Sequence, residues 1–209
     1  GTVIANNATT HTASLAGLSP ATVYYAKAYS ILNQDTAVTL IAPFCTQSLS
    51  SGKITAYFNR IPDLSQSTGV DARYIGTKIA DTLAAYINRA TISLDICIYN
   101  WDNLTDGMKI VVALNNAHNR GVSIRLIYDG GTNNSGVGAV SGAIRKLSSP
   151  QGINYSIMHN KFVIIDENAS DPNLPIVWTG STNWTDQQLT EDANNVIIFQ
   201  DQSLARGYK

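Results

Sequence analysis

Charged residues are scarce in this sequence, and neither sign is in excess. The chain of 209 residues has 14 Lys and Arg against 15 Asp and Glu, which gives a formal net charge of −1. This balance excludes the strongly basic surface of a protein that binds through many phosphate contacts, although it leaves room for a local basic site. A charged fraction of 14% beside a hydrophobic fraction of 44% also excludes disorder over most of the length.

Cysteine is nearly absent, and long apolar runs are absent altogether. Cys45 and Cys97 lie in different predicted domains, so we expect two buried thiols rather than a disulfide framework or a zinc site. No cluster of His, Asp or Glu has metal-ligand spacing, and we therefore expect no metal and no cofactor. Apolar stretches such as residues 162–165 fall far short of the ~20 residues that a membrane-spanning helix needs. The chain starts at Gly1 without a targeting leader, and we expect this start to lie inside a longer protein.

The composition changes at residues 48–52, Ser-Leu-Ser-Ser-Gly, and predicts a boundary between two domains. Residues 1–50 predict a small all-β segment with strands at 12–15, 23–30 and 36–41. Residues 53–209 alternate strands and helices, which predicts an α/β fold with a mixed, largely parallel sheet flanked by helices. Strands are expected at 54–58, 91–99, 122–128, 155–166, 176–179 and 195–200, and helices at 74–90, 105–119, 137–147 and from Gln202, the last of them truncated at Lys209.

The segment from His159 to Asp166 brings an imidazole and an ammonium group together. Side chains alternate along a strand, so His159 and Lys161 are expected on one face while Phe162 and Ile164 pack on the other. By the same parity, Asp166 faces away from His159 and Lys161.

A hydroxyl and a carboxamide follow the next apolar strand. Gly180 allows close approach of the backbone to a ligand, and Ser181 and Asn183 come directly after it. An imidazole, an ammonium, a hydroxyl and a carboxamide form a set that suits a tetrahedral anion.

The pattern His-x-Lys-x4-Asp followed by Gly-Ser-x-Asn resembles the HKD motif of the phospholipase D superfamily, phosphodiesterases that include phospholipases and nucleases. The resemblance extends from residue 53 to about 209 and includes Ala-Thr-Ile-Ser-Leu-Asp-Ile-Cys-Ile-Tyr at 90–99. It implies a metal-independent hydrolase of phosphodiesters in phospholipid or nucleic acid. A non-specific endonuclease and a non-catalytic secreted binding or scaffold module are the alternatives.

The resemblance also implies a role for each residue of the motif. His159 would attack phosphorus and form a phosphohistidine intermediate. Lys161 and Asn183 would hold the non-bridging oxygens, and Ser181 would add a hydroxyl to the same phosphate-binding site. Asp166 would orient other groups rather than carry a proton.

The departing alcohol needs a proton from a second cationic group, and relatives with two HKD motifs use a second histidine. This chain has one such motif. His11 lies in the β segment, and His118 is expected to end a helix and interact with its dipole. We therefore expect a homodimer with the active site at its two-fold interface. A second motif beyond residue 209 is the alternative.

The sequence departs from the family at one position. Some single-motif nucleases of this superfamily have a glutamate that hydrogen-bonds the histidine, and Asn194 occupies the corresponding place here. An amide orients a ring but does not stabilise its cation as a carboxylate does. Asp192 and Glu191 lie close enough in sequence to substitute for it.

Three further residues have two interpretations each, and a fourth has one. Asp129 ends an apolar strand, where ligand-facing residues occur in α/β enzymes, but Asp-Gly-Gly is more typical of a turn. Trp101 and Trp184 either line a substrate groove or pack in the core. Asp95 lies within an apolar strand and is expected to form a structural hydrogen bond.

The stretch Leu-Ser-Pro-Ala-Thr-Val-Tyr-Tyr at 18–25 resembles the end of a fibronectin type III module. Tyr24 would then be the tyrosine-corner residue of a β-sandwich, of which residues 1–50 cover the C-terminal part. By analogy with such modules, we expect a secreted or periplasmic bacterial location.

Overall fold

The N-terminal segment folds into four short strands. The computed structural model describes residues 9–69, 71–152 and 154–209 of the chain. The strands are β1 (Val23–Ala26), β2 (Tyr29–Leu32), β3 (Asp35–Val38) and β4 (Ala42–Cys45). β1 pairs with β4 and β2 pairs with β3, both antiparallel. The prediction of a strand at 12–15 was wrong, since these residues have no regular structure.

The Tyr24 hydroxyl accepts a hydrogen bond from the backbone N–H of Ser19 at 2.9 Å. A tyrosine corner makes the same kind of contact, from a tyrosine hydroxyl to the backbone a few residues upstream. The Tyr24 ring also stacks on Phe44, with 5.7 Å between ring centroids, and so links β1 to β4. The resemblance to a fibronectin type III module stays a prediction.

The rest of the described chain alternates strands and helices. In chain order these are β5 (Lys53–Phe58), β6 (Arg73–Tyr74), α1 (Ile79–Arg89), β7 (Ser93–Ile98), α2 (Thr105–Asn119), β8 (Ser123–Tyr128), α3 (Ser135–Ala139), β9 (Arg145–Ser148), β10 (Lys161–Ile165), β11 (Ile176–Gly180), α4 (Asp186–Thr190), β12 (Asn195–Gln200) and α5 (Gln202–Tyr208).

Eight of these strands form one mixed sheet in the order β6-β5-β12-β11-β10-β7-β8-β9. The outer pairs β5–β6, β7–β8 and β8–β9 are parallel. The four ladders from β5 through β12, β11 and β10 to β7 are antiparallel, so the parallel pairs lie on the two flanks of the sheet. The mixed α/β class is confirmed, with helices on both faces.

The two faces of the sheet differ in how they are covered. α1 and α2 pack on one face and bury the main apolar core, which includes Val163 and Ile165 of β10. A smaller cluster with Ile164 and partly buried Phe162 packs against α5 on the other face. The expected alternation of β10 side chains is confirmed.

Several predicted boundaries differ from the structure. The first helix starts at Ile79 rather than 74, because Arg73–Tyr74 pairs with the edge of β5. The helix expected at 137–147 is replaced by the five-residue α3 and by β9, which extends the sheet beside β8. Three glycines at 136, 138 and 142 weaken helix propensity in this stretch.

The residues at the predicted domain boundary bind to the larger domain. The Ser48 hydroxyl donates to the Asp201 carboxylate at 2.9 Å, and the Ser50 hydroxyl donates to the carbonyl of Pro172 at 2.5 Å. Arg206 of α5 donates to the carbonyl of Ala21 at 2.6 Å.

Among the described helices, none is long and apolar enough to cross a membrane.

Candidate active site

The expected motif residues lie at one edge of the central sheet. Lys161 starts β10 and is paired with Ile98, the last residue of β7, while neighbouring Phe162 is paired with Thr179 near the end of β11. Because β10 runs antiparallel to β7 and β11, its start meets the carboxyl ends of both. The strand expected to begin at 155 begins only at Lys161, so His159 lies in irregular backbone at this edge.

Lys161 is buried, with 9% of its surface exposed, and lies beside an exposed His159. Its Nζ donates to the carbonyl of His159 at 3.0 Å. The same Nζ lies 5.1 Å from the ring centroid of Tyr99, and the His159 ring lies 4.7 Å from that centroid. Burial lowers the pKa of Lys161 from its ordinary value, because desolvation penalises the charged form.

Asp129 connects the turn after β8 to the segment that carries His159. Its Oδ2 accepts a hydrogen bond from the backbone N–H of Met158 at 2.8 Å. Its Oδ1 accepts from the Gly131 N–H and the Thr132 hydroxyl, at 3.0 and 2.9 Å. Burial alone would raise the pKa of Asp129, but these hydrogen bonds outweigh it and lower that pKa. The expected turn is present, but its hydrogen bonds involve only Oδ1 of Asp129, whereas Oδ2 binds Met158.

Ser181 and Asn194 belong to one hydrogen-bond network. The Ser181 hydroxyl donates to Asn194 Oδ1 at 2.7 Å and accepts from the Asn195 backbone N–H at 3.1 Å. Asn194 Nδ2 donates to the carbonyl of Gln188 at 2.9 Å. The side chain of Asn194 thus binds Ser181 and Gln188 in this structure, and a role for Asn194 in orienting His159 stays a prediction.

Asn183 is buried and is held by the side chain of Gln188 on α4. Its backbone N–H and its Nδ2 both donate to Gln188 Oε1, each at 3.0 Å. Asn183 Oδ1 is buried and has no hydrogen-bond partner among the described residues. One hydrogen of Nδ2 stays available for a ligand, so Asn183 retains a donor of the kind that a phosphate oxygen accepts.

The two acidic residues expected near His159 have other contacts. Asp192 Oδ1 accepts from Gln187 Nε2 at 3.3 Å. Glu191 is exposed; its backbone N–H donates to the carbonyl of Gln187 and its backbone carbonyl accepts from Arg60. Neither carboxylate hydrogen-bonds His159, so the expectation that either one orients it is corrected.

Asp166 lies at the opposite end of β10 from Lys161, with a φ of 53°. Its buried carboxylate accepts hydrogen bonds from the backbone N–H groups of Thr91, Ile92 and Ser93 at 2.8 to 3.2 Å, and from the Thr91 hydroxyl at 3.0 Å. The expected orienting role at the active site is therefore replaced by a structural role, in which Asp166 fixes the start of β7.

The remaining sequence candidates have structural roles. Trp101 and Trp184 are both buried and form an edge-to-face pair with 5.0 Å between ring centroids, so they pack in the core rather than line a groove. Asp95 forms its expected bond, with Arg125 as the partner. His118 lies in the last turn of α2, as expected.

Both cysteines are free, Cys97 buried and Cys45 half-buried. Within residues 9–69, 71–152 and 154–209, no three residues among His, Cys, Asp and Glu form a cluster suited to a metal ion.

Two residues that contact the motif were missed by the sequence analysis. Tyr99 was noted only as the end of a strand, although that strand ends at the same edge as Lys161. Gln188 lies on the short helix α4, and nothing in the local sequence indicates that its side chain reaches Asn183. The position of Tyr99 at a strand end was a usable signal, whereas Gln188 requires the tertiary structure.

Comparison with known proteins identifies relatives over the larger domain. A family model described as "Cardiolipin synthase, PLD-like domain" matches residues 83–209. Mitochondrial cardiolipin hydrolase of Canis lupus familiaris is 31% identical over 120 residues, which are 56% of this chain and 42% of that protein. The protein of the same name from Drosophila melanogaster is 33% identical over 138 residues, 59% of this chain and 53% of that protein. This chain thus spans about half the length of the curated relatives it matches.

Two solved structures show the same fold. Nuc from Salmonella typhimurium, a phospholipase D family member, superposes with a TM-score of 0.55 and 20% identity, over 76% of this chain and 90% of that one. NucT from Helicobacter pylori gives the same TM-score and identity, over 76% and 91% of the two chains.

The comparisons contradict the expected location. The curated relatives are named mitochondrial cardiolipin hydrolases, so the expectation of a secreted or periplasmic protein was wrong. The family match begins at Leu83 and does not extend to the first 50 residues.

Proposed function

Because the chain belongs to the "Cardiolipin synthase, PLD-like domain" family, we propose that it hydrolyses phosphodiesters through covalent catalysis by His159. The observation that carries the proposal is the buried cation of Lys161 beside an exposed imidazole. Across the described ranges, no carboxylate lies within ion-pair distance of Lys161. A buried charge without a counter-ion is costly, and an anionic phosphodiester supplies the missing charge.

The reaction proceeds by two displacements at phosphorus. Neutral His159 attacks the phosphorus, forming a P–N bond while the P–O bond to the departing alcohol breaks. The alkoxide takes a proton from an acid, and water then attacks the phosphohistidine, releasing the phosphate monoester and restoring His159. Lys161, with the free Nδ2 hydrogen of Asn183, stabilises the negative charge on the non-bridging oxygens, and Ser181 adds a donor when its hydroxyl turns from Asn194 Oδ1 to the phosphate.

The acid that protonates the departing alkoxide is proposed to come from a second copy of the chain. His11 is exposed in the N-terminal segment and His118 lies at the end of α2, so neither belongs to the edge where His159 lies. We propose a homodimer in which the exposed His159 of each copy donates the proton for the other. Two-fold assemblies are the commonest oligomers, and a shared site needs the two copies of His159 close to each other across the two-fold axis.

The substrate class follows from the relatives. Those that match at 31 to 33% identity are named cardiolipin hydrolases, and this favours a phospholipid diester as the substrate. The near-neutral net charge of the chain agrees with this class better than with a long nucleic-acid tract.

The activity is tested with bis(4-nitrophenyl) phosphate and two histidine variants. His159→Ala is expected to reduce turnover by about three orders of magnitude or more, while His11→Ala, the matched control, keeps the wild-type rate. Wild-type protein quenched with denaturant at alkaline pH, where the P–N bond is stable, should carry a 4-nitrophenylphosphoryl group on His159 in a peptide mass spectrum. Equal rates for both variants, or activity that EDTA abolishes and a divalent ion restores, would contradict the mechanism.

The substrate is tested by comparing cardiolipin vesicles with single-stranded and duplex DNA in one assay. We expect hydrolysis of the lipid to exceed that of DNA. Cleavage of DNA alone, lost in His159→Ala, would overturn the substrate class while supporting the chemistry, and would make the chain an endonuclease of the same superfamily.

A further inference from the structure

We propose that Tyr99 is a positioning residue whose ring holds the His159 imidazole and keeps Lys161 protonated until the substrate arrives. This inference rests on the proposed function, because it assigns Tyr99 a part in phosphate binding by Lys161. One aromatic ring contacts both motif residues, with 4.7 Å to the imidazole centroid and 5.1 Å to the lysine Nζ.

The contacts of Lys161 leave Tyr99 as the residue that stabilises its charge. Its Nζ has one hydrogen-bond acceptor in the described chain, the carbonyl of His159 at 3.0 Å. Buried ammonium groups lose their proton easily unless something nearby favours the cation. The negative face of an aromatic ring does so, and more strongly when the cation is desolvated.

The carboxylates in the loops at this edge are bound elsewhere. Asp102 accepts from Leu104 and Asp186 backbone groups, and Asp186 accepts from those of Asp106 and Gly107. Of the others, Asp129 binds Met158 and its own turn, Asp192 binds Gln187, and Asp63, in the loop after β5, binds the Ser65 N–H, while Asp71 and Glu191 are exposed. Among the described residues, Tyr99 and His159 are therefore the titratable residues that contact Lys161.

An aromatic partner has an advantage over a carboxylate at this position. A carboxylate would neutralise Lys161 and compete with the anionic substrate for its N–H donors. The ring of Tyr99 is neutral and accepts no hydrogen bond with its face, so the remaining lysine donors stay available to phosphate oxygens. The same ring restricts the imidazole of His159, which no side-chain hydrogen bond holds among the described residues.

The backbone of Tyr99 is held in place. Its carbonyl accepts a hydrogen bond from Asn134 Nδ2 at 3.1 Å, and the same Nδ2 donates to the carbonyl of Asp129 at 2.9 Å. Asn134 thereby links the residues that follow β7 and β8. A ring fixed in this way contributes at small entropic cost, since only its two side-chain torsions need to be ordered.

The test compares Tyr99→Phe, which keeps the ring, with Tyr99→Leu, which removes it. Tyr25→Leu, at an exposed tyrosine in the N-terminal segment, is the matched control. Binding of inorganic phosphate is measured by titration calorimetry, and the titration of Lys161 by NMR of 13C-labelled lysine. We expect Tyr99→Leu to weaken phosphate binding about three- to tenfold and to lower the pKa of Lys161. Tyr99→Phe and Tyr25→Leu should change neither.

Two results would overturn the inference: Tyr99→Phe as impaired as Tyr99→Leu, or Tyr99→Leu with unchanged binding and unchanged titration. Tyr99→Met, a flexible apolar side chain without a ring, replaces the leucine variant if that one does not fold. Neither measurement needs turnover. If the wild-type protein is inactive but Tyr99→Leu still lowers the pKa of Lys161, the role of Tyr99 is supported and the proposed function is refuted. In active protein, Tyr99→Leu should also move the alkaline limb of kcat/KM to lower pH, because the ammonium is lost earlier.

Discussion

The Asp129 carboxylate accepts a hydrogen bond from the Met158 backbone N–H at 2.8 Å and so fixes the residue that directly precedes His159. His159 lies outside the regular part of β10, and the sheet ladder does not hold it. The position of the imidazole therefore depends on a contact from the turn after β8, 29 residues away from Met158 along the chain.

Replacing this carboxylate should affect turnover more than substrate binding. In Asp129→Asn, an NH2 group replaces one of the two carboxylate oxygens. This group cannot accept a hydrogen bond, so one backbone N–H that the carboxylate binds loses its acceptor. We expect kcat to fall about tenfold or more, KM to change little, and the free energy of unfolding to drop by about 1–3 kcal/mol. Steady-state kinetics and denaturant unfolding measure these effects. Asp171→Asn, in an exposed turn where Asp171 accepts from the Asn173 N–H, is the control and should change neither quantity.

Asp166 should matter for stability and not for chemistry. Asp166→Ala leaves three backbone N–H groups without their acceptor, at a position whose φ of 53° alanine adopts poorly. We expect a loss of about 3 kcal/mol or more in the free energy of unfolding and a normal kcat in the fraction that is folded. A large loss of kcat in stable, folded Asp166→Ala protein would restore Asp166 to the active site.

Gln188 should act through Asn183. Gln188→Leu removes the acceptor of both the backbone N–H and the Nδ2 of Asn183, whereas Gln188→Glu keeps an oxygen in that place. We expect kcat/KM to fall about tenfold in the leucine variant and to stay closer to wild type in the glutamate variant. Gln187→Leu, its exposed neighbour, serves as the control. Identical kinetics for Gln188→Leu and wild type would show that Asn183 needs no support from α4.

Asp201 should make stability depend on pH in the acid range. It caps the N-terminus of α5, accepting from the Leu204 N–H at 2.7 Å, and it also accepts from the hydroxyls of Ser203 and Ser48. Burial opposes the charged form, but these hydrogen bonds outweigh it and hold the pKa of Asp201 below its ordinary value. A lowered folded-state pKa contributes stability above the unfolded value of about 3.9, and this stability is lost as pH falls through the folded value.

The measurement is the difference in unfolding free energy between wild type and Asp201→Ala as a function of pH. We expect about 1–2 kcal/mol at pH 7, typical of an N-cap, and a difference that shrinks steadily below pH 4. A difference that stays constant down to pH 2 would mean that the carboxylate charge has no part in the cap.

The dimer is tested by mixing wild type with an excess of His159→Ala under conditions that allow subunit exchange. At a ratio of one to three, most wild-type chains pair with an inactive one, so activity per wild-type chain should fall to about a quarter. Activity that stays constant after mixing, together with a monomeric sedimentation profile, would contradict the shared site.

Local signals in the sequence predicted a large part of this structure. α2 and β12 have the predicted ends, because each has a clear apolar period and turn residues at its limits. His159 and Lys161 were predicted from the resemblance of His-x-Lys-x4-Asp and the downstream Gly-Ser-x-Asn to the HKD motif, and their catalytic roles stay a prediction. The helix expected at 137–147 was wrong, because pairing of β9 with β8 is a long-range interaction that a local pattern does not report.

The sequence analysis misjudged residues whose partners are distant in the chain. Asp166 belongs to the family motif by spacing, yet its function here depends on three N–H groups 73 to 75 residues away. Asn194 corresponds in sequence to the residue that hydrogen-bonds the histidine in some single-motif nucleases, but its amide here hydrogen-bonds Ser181 and Gln188. A motif therefore locates a site along the chain without specifying which of its members touch one another.

The attachment of the N-terminal segment has a consequence for how this protein can be modified. The N-terminal segment is attached to residues that follow the end of β12, because Ser48 binds Asp201 and Ala21 binds Arg206. Asn194 and Asn195 lie at the other end of the same strand. The full length of a six-residue strand thus separates the attachment point from the chemistry. We therefore expect that exchanging the N-terminal segment for a different module, or fusing a tag to it, leaves His159 and its neighbours unchanged as long as the cap of α5 is preserved.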